Sequence, residues 1–96
     1  MDVLVTYDVN TETKEGRRRL RKVATACKDF GQRVQYSVFE CRVNAEQLES
    51  LRDRLLKIIH EGEDSLRIYR LHPPREKNIE SYGQDSYVSY EDPLIF

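Results

Sequence analysis

The sequence predicts an α+β domain in the order strand, helix, strand, strand, helix, strand. Three observations carry this. Alternating or β-branched apolar runs recur at Val3 to Val9, Arg33 to Val43 and Leu66 to Leu71. Two stretches of helical periodicity separate them. Glycine, proline or a capping residue punctuates the boundaries. A chain of 96 residues with 39% hydrophobic and 34% charged residues suits one domain with a modest core. A domain this small gains stability from pairing with a second copy.

In the first strand Val3, Val5 and Tyr7 alternate with Leu4, Thr6 and Asp8, which places a lone acid at the strand's C-terminal end. Asn10 to Gly16 is rich in turn formers and reads as a loop. Arg17 to Phe30 is the first helix. Leu20, Val23, Ala24 and Cys27 form its apolar stripe, and Gly31 is its stop. Arg33 to Val43 is long for one strand, and two strands meeting in a tight turn near Tyr36 and Ser37 fit it better than one bent strand. Asn44 with Gln47 three residues later makes a capping box. Leu48, Leu51, Leu55, Ile58 and Ile59 form the second buried stripe, closed by Gly62. Leu66 to Leu71 is the last core strand, halted by Pro73-Pro74, and Ile79 to Tyr82 is a candidate edge strand. The order is the ferredoxin-like βαββαβ pattern, which says nothing of function by itself.

Net charge is −1, so the whole molecule does not announce a polyanion partner. The distribution does. Lys14 to Arg33 holds eight bases against Glu15 and Asp29, a local +6, whereas Glu76 to Asp92 holds five acids against Lys77, a local −4. This asymmetry predicts one basic face. Two cysteines without a pairing motif read as reduced thiols of a cytoplasmic protein, and no stretch reads as a signal peptide or membrane span.

Asp8 has two readings: a turn residue after the strand, or a ligand for a hard cation such as Mg²⁺, which takes carboxylate oxygen and shares its other positions with water and phosphate. A water polarised in that way attacks a phosphodiester, and arginines steady the developing charge. One carboxylate makes a poor site, and no second acid stands at ligand spacing. In a two-fold dimer, however, two Asp8 side chains converge on the axis. Lys14, Arg17, Arg18, Arg19, Arg21 and Lys22 crowd the start of a helix, where the dipole disfavours cations. They read either as a solvated face or as contacts to a nucleic-acid backbone with little sequence specificity. His60 and His72 read as surface histidines, and Cys27 and Cys41 as small core residues. Tyr82, Tyr87 and Tyr90 read as interface residues, while Tyr36 and Tyr69 suit either packing or base stacking.

The strand ending Tyr7-Asp8-Val9, the helix opening 17-RRRLRKVA-24, the block 31-GQRVQYSVFEC-41 and the strand 66-LRIYRL-71 together resemble the CRISPR-associated protein two family over nearly the whole chain. The closing 91-EDPLIF-96 resembles its type I-C branch. The resemblance implies a homodimer whose core, residues 1–72, is ferredoxin-like. It implies an extension, residues 73–96, that adds a strand to the partner subunit, with Leu94, Ile95 and Phe96 docking on the partner or the integrase. It implies Mg²⁺- or Mn²⁺-dependent phosphodiester cleavage of double-stranded DNA or RNA, and assembly with the larger CRISPR integrase during spacer acquisition. Carried over by motif, Asp8 is the metal ligand with Tyr7 beside it, Arg17 and Arg19 support phosphate binding or catalysis, and Arg33, Ser37 and Phe39 shape the site. A non-catalytic DNA-binding scaffold and a toxin ribonuclease of the VapD type are the alternatives. A small-ligand regulatory domain is weakened by the scatter of the 4 glycines.

Overall fold

β1 (Asp2–Asp8) is the strand on which the others assemble. It pairs antiparallel with β3 (Val38–Arg42) on one side and β4 (Ser65–Leu71) on the other, and β2 (Gly31–Gln35) pairs with β3, giving the sheet order β2-β3-β1-β4. The computed structural model describes residues 1–84. Helices α1 (Lys14–Lys28) and α2 (Ala45–Ile58) lie between the strands in sequence, so the expected ferredoxin-like order holds. The tight β2–β3 turn also holds, with a register irregularity between Arg33 and Gln35.

The period of two in each strand divides the sheet into two faces. Val3, Val5 and Tyr7 of β1, with Phe39 and Cys41 of β3, face the helices and are buried with Val23, Ala26 and Cys27 of α1 and Leu48, Leu51 and Leu55 of α2. Full burial of a side chain such as Phe39, Leu51 or Leu55 contributes about 1.5–3 kcal/mol. Burial raises the thiol of Cys27 to about 12 and that of Cys41 to about 11, so both are protonated packing groups at neutral pH, as expected. The register places Leu4, Thr6 and Asp8 on the other face, opposite Tyr69, Arg67 and Ser65 of β4. Among the described residues no helix is long and apolar enough to cross a membrane.

Several boundaries differ from expectation. Helix α1 starts at Lys14 because the Thr13 hydroxyl accepts from the Gly16 N–H at 3.0 Å, capping the helix one turn before the arginines. Gly16 therefore sits in the first turn, where a β-carbon would stand 1.9 Å from the Asn10 carbonyl oxygen. Gly31 opens β2 instead of ending α1, and a β-carbon there would lie 2.2 Å from the Glu40 carbonyl oxygen. The capping box of Asn44 and Gln47 is formed, but α2 ends at Ile58, ahead of Gly62. Ile79 to Tyr82 forms no strand within the chain. A short helix α3 (Arg75–Asn78) precedes it, closed by the Asn78 amide donating to the carbonyls of His72 and Pro74 at 2.6 and 2.9 Å. Arg75 pairs with Glu40 of β3 (Nε to Oε2 3.1 Å), which fastens this segment to the face of the sheet away from α1 and α2. Tyr87, Tyr90 and the Leu94 to Phe96 tail lie outside the described residues.

Candidate functional site

One end of the sheet gathers the C-terminus of β1, the start of α1, the α2–β4 loop and the β2–β3 turn. Asp8 closes β1 there, exposed, on the face away from the helices and opposite Ser65. Its carboxylate makes no hydrogen bond or ion pair among the described residues.

Tyr7 points the other way. Its ring packs against Phe39 with centroids 6.3 Å apart, its N–H donates to the Ser37 carbonyl at 3.1 Å, and its hydroxyl donates to the Tyr36 carbonyl at 3.4 Å. The Arg33 guanidinium lies 5.1 Å from the Phe39 ring centroid. Burial raises the Tyr7 hydroxyl above its ordinary value, and a hydrogen bond with Arg33 works against that rise. Tyr7 is thus a hydrogen-bond donor at neutral pH and not a base. The single cluster expected around Asp8 divides in two: Tyr7, Arg33, Ser37 and Phe39 sit together on the helical side, and Asp8 stands on the opposite face.

The arginines divide as well. Arg19 is held by acids of the α2–β4 loop. Its Nε and Nη2 reach both carboxylate oxygens of Asp64 at 2.9 and 3.3 Å, and Nη2 lies 3.4 Å from Glu63. The Arg19–Asp64 pair has fork–fork geometry, with Nε and Nη2 on the two carboxylate oxygens. Arg19 thus clamps the α2–β4 loop to the start of α1. Arg17 is exposed, with one donor on the Thr11 carbonyl at 3.2 Å. Lys14, Arg18, Arg21 and Lys22 are exposed and make no ion pair among the described residues.

Asp64, which the sequence reading missed, is the hub beneath this loop. Its side chain is fully buried and also accepts the backbone N–H of Asn10 at 3.0 Å and of His60 at 2.8 Å. Burial pushes its carboxyl up, but the hydrogen bonds from Arg19, His60 and Asn10 outweigh that and hold it below the ordinary aspartate value. His60 itself is exposed, 3.4 Å from Glu63, as a surface histidine should be. Arg54 and Lys57 of α2 were missed too. Three residues apart on one helix, they face α1 across a shared groove. That spacing was the available signal.

Among the described residues no three acids, histidines or cysteines cluster. Asp8 supplies one hard oxygen ligand at an exposed position. Mg²⁺ is commonly held by one or two carboxylates together with water and substrate phosphate, a donor set to which Asp8 could contribute.

Fold and site together define a small ferredoxin-like protein with an acid at the end of its central strand and a cationic helical layer. The sequence profile of CRISPR associated protein Cas2 matches residues 1–79. The chain belongs to the Cas2 family. It is 58% identical over 95 residues to the CRISPR-associated endoribonuclease Cas2 1 of Moorella thermoacetica, covering 99% of both chains. It is 53% identical over 96 residues to the CRISPR-associated endonuclease Cas2 of Halalkalibacterium halodurans, covering 100% of both. The crystal structure of Streptococcus pyogenes Cas2 at pH 6.5 superposes with a TM-score of 0.78 at 53% identity, covering 86% of this chain and 100% of that one.

Proposed function

We propose that this protein is a metal-dependent endonuclease of CRISPR adaptation whose active unit is a homodimer. The carrying observation is Asp8: an exposed carboxylate, without a side-chain partner among the described residues, on the sheet face away from α1 and α2. Two such residues meeting at a two-fold axis hold one Mg²⁺ or Mn²⁺, which supplies a polarised water for attack on a phosphodiester. The Arg19–Asp64 clamp fixes the loop that follows Asp8, and the exposed Arg17, which donates to the Thr11 carbonyl of that loop, meets phosphate. The segment from residue 73 onward pairs with the partner subunit, and the dimer bridges copies of the larger integrase during spacer acquisition, in a system of type I-C. The substrate is RNA or double-stranded DNA. The printed names of the two relatives, one an endoribonuclease and one an endonuclease, support hydrolysis of a nucleic acid without choosing between them. A second reading, a DNA-binding scaffold without cleavage, is favoured by the exposed bases of α1, which lie on the helical side of the sheet from Asp8.

Dilution tests the dimeric site. The cleavage rate per chain in Mg²⁺ should fall as the protein is diluted through the range where sedimentation shows dimers separating. A rate per chain that stays constant in the monomer would contradict a shared site.

A further inference from the structure

The β2–β3 turn and α1 bound a cleft of about 190 Å³ lined by apolar Leu20 and Ala24, the Tyr7 and Tyr36 rings, and the guanidinium-bearing Arg21 and Arg33. Tyr36 is 93% exposed at the turn. Arg21 also lines a larger groove of about 550 Å³ between α1 and α2, together with Arg18, Lys22, Arg54 and Lys57. Among the described residues no carboxylate lines that groove. Asp29 pairs with Arg54 at 2.7 Å, while Arg18, Arg21, Lys22 and Lys57 have no ion-pair partner among the described residues.

We propose that these two depressions, joined at Arg21, hold one strand of nucleic acid, with phosphates along the α1–α2 groove and a single unpaired base against Tyr36. Two independent features point to the same ligand. Uncompensated cations on facing helices ask for a repeating anion. An exposed tyrosine lining the same cleft as Arg21 and Arg33 offers a ring on which a base can stack. A duplex keeps its bases stacked inside, so the cleft selects an unpaired end, a loop or an unstacked base. An acidic peptide would use the groove but has no ring for Tyr36. The site lies on the helical side of the sheet, whereas Asp8 lies on the other, so strand capture and cleavage are separable. The inference rests on the nucleic-acid reading proposed above but not on cleavage.

Binding is measured by fluorescence anisotropy in EDTA, where no metal-dependent cleavage occurs. The probes are a short labelled oligothymidylate and an abasic oligomer of the same length. Tyr36→Ala, at an exposed site that leaves the fold intact by circular dichroism, should weaken oligothymidylate binding roughly 5- to 100-fold, leave its salt dependence unchanged, and leave abasic binding unchanged. Replacing Arg18, Lys22 and Lys57 together by alanine should lower the slope of log affinity against log salt by about 2 on both probes. Three results overturn the proposal: Tyr36→Ala binding like the parent chain, Tyr36→Ala losing equal affinity on the abasic probe, or a polyglutamate peptide competing as well as the oligonucleotide. Loss of cleavage with this binding intact would instead count against the nuclease reading alone.

Discussion

Asp8→Asn is expected to lower metal-dependent phosphodiester cleavage by roughly two to three orders of magnitude while leaving the fold as stable as before. The substitution removes the negative charge that binds a hard cation and keeps the shape. Loss of about 3–4 kcal/mol of transition-state stabilisation from a displaced cation corresponds to that factor. Stability should change by less than about 0.5 kcal/mol, because Asp8 is exposed and its side chain takes no part in the hydrogen bonds or ion pairs of the described residues. Cleavage measured across a Mg²⁺ titration, beside a thermal melt of the same preparation, separates the two effects. A variant that cleaves at the parent rate at saturating Mg²⁺ would remove Asp8 from the reaction. One that melts far below the parent would make it a structural residue.

Asp64→Ala should have the opposite profile, a large loss of stability in a residue that touches no substrate. The fully buried carboxylate serves Arg19 and the backbone N–H groups of Asn10 and His60. Its removal strands a guanidinium and two part-buried backbone donors at once, a loss of about 3–5 kcal/mol against a total of about 5–15 kcal/mol for a domain. For a chain of this size that lowers the melting temperature by more than about 10 °C. Asp64→Asn, which keeps an acceptor, should lose less. The carboxyl's folded value lies below its unfolded one, so its contribution is complete at pH values above the ordinary aspartate range and fades as pH falls through that range and below. The parent chain should therefore lose stability on acidification more steeply than Asp64→Asn. Equal acid profiles for the two, or an Asp64→Ala melt within about 0.5 kcal/mol of the parent, would show that the clamp carries no stability.

The parts of this fold that are local in sequence were legible in it. Asn44 and Gln47 announce a helix start because a capping box closes within four residues, and the β2–β3 turn follows from a strand too long to stay single. Asp8 at a strand end was legible for the same reason. The first helix start was misplaced by one turn because Gly16 reads as a breaker, while its need for glycine comes from the Asn10 carbonyl across the loop. Asp64 was illegible because Arg19 and Asn10, two of its three partners, are 45 and 54 residues away, and nothing near it in sequence marks it as buried. The separation of Tyr7 from Asp8 was available in the strand's own period of two: neighbours on a strand face opposite ways. The family resemblance grouped them by motif, and the geometry divides them by face. For Arg19, a position inside a basic run said cation, but only the fold shows which acid holds it.

Mixed dimers test the paired aspartates most directly. Parent and Asp8→Asn chains, exchanged at equal concentrations and assayed in Mg²⁺, form parent, mixed and variant dimers in binomial proportion. If both Asp8 side chains hold one ion, mixed dimers are inactive and about a quarter of the parent rate remains. About half the parent rate, falling in direct proportion to the fraction of parent chains, would mean that each chain works alone and would contradict the shared site.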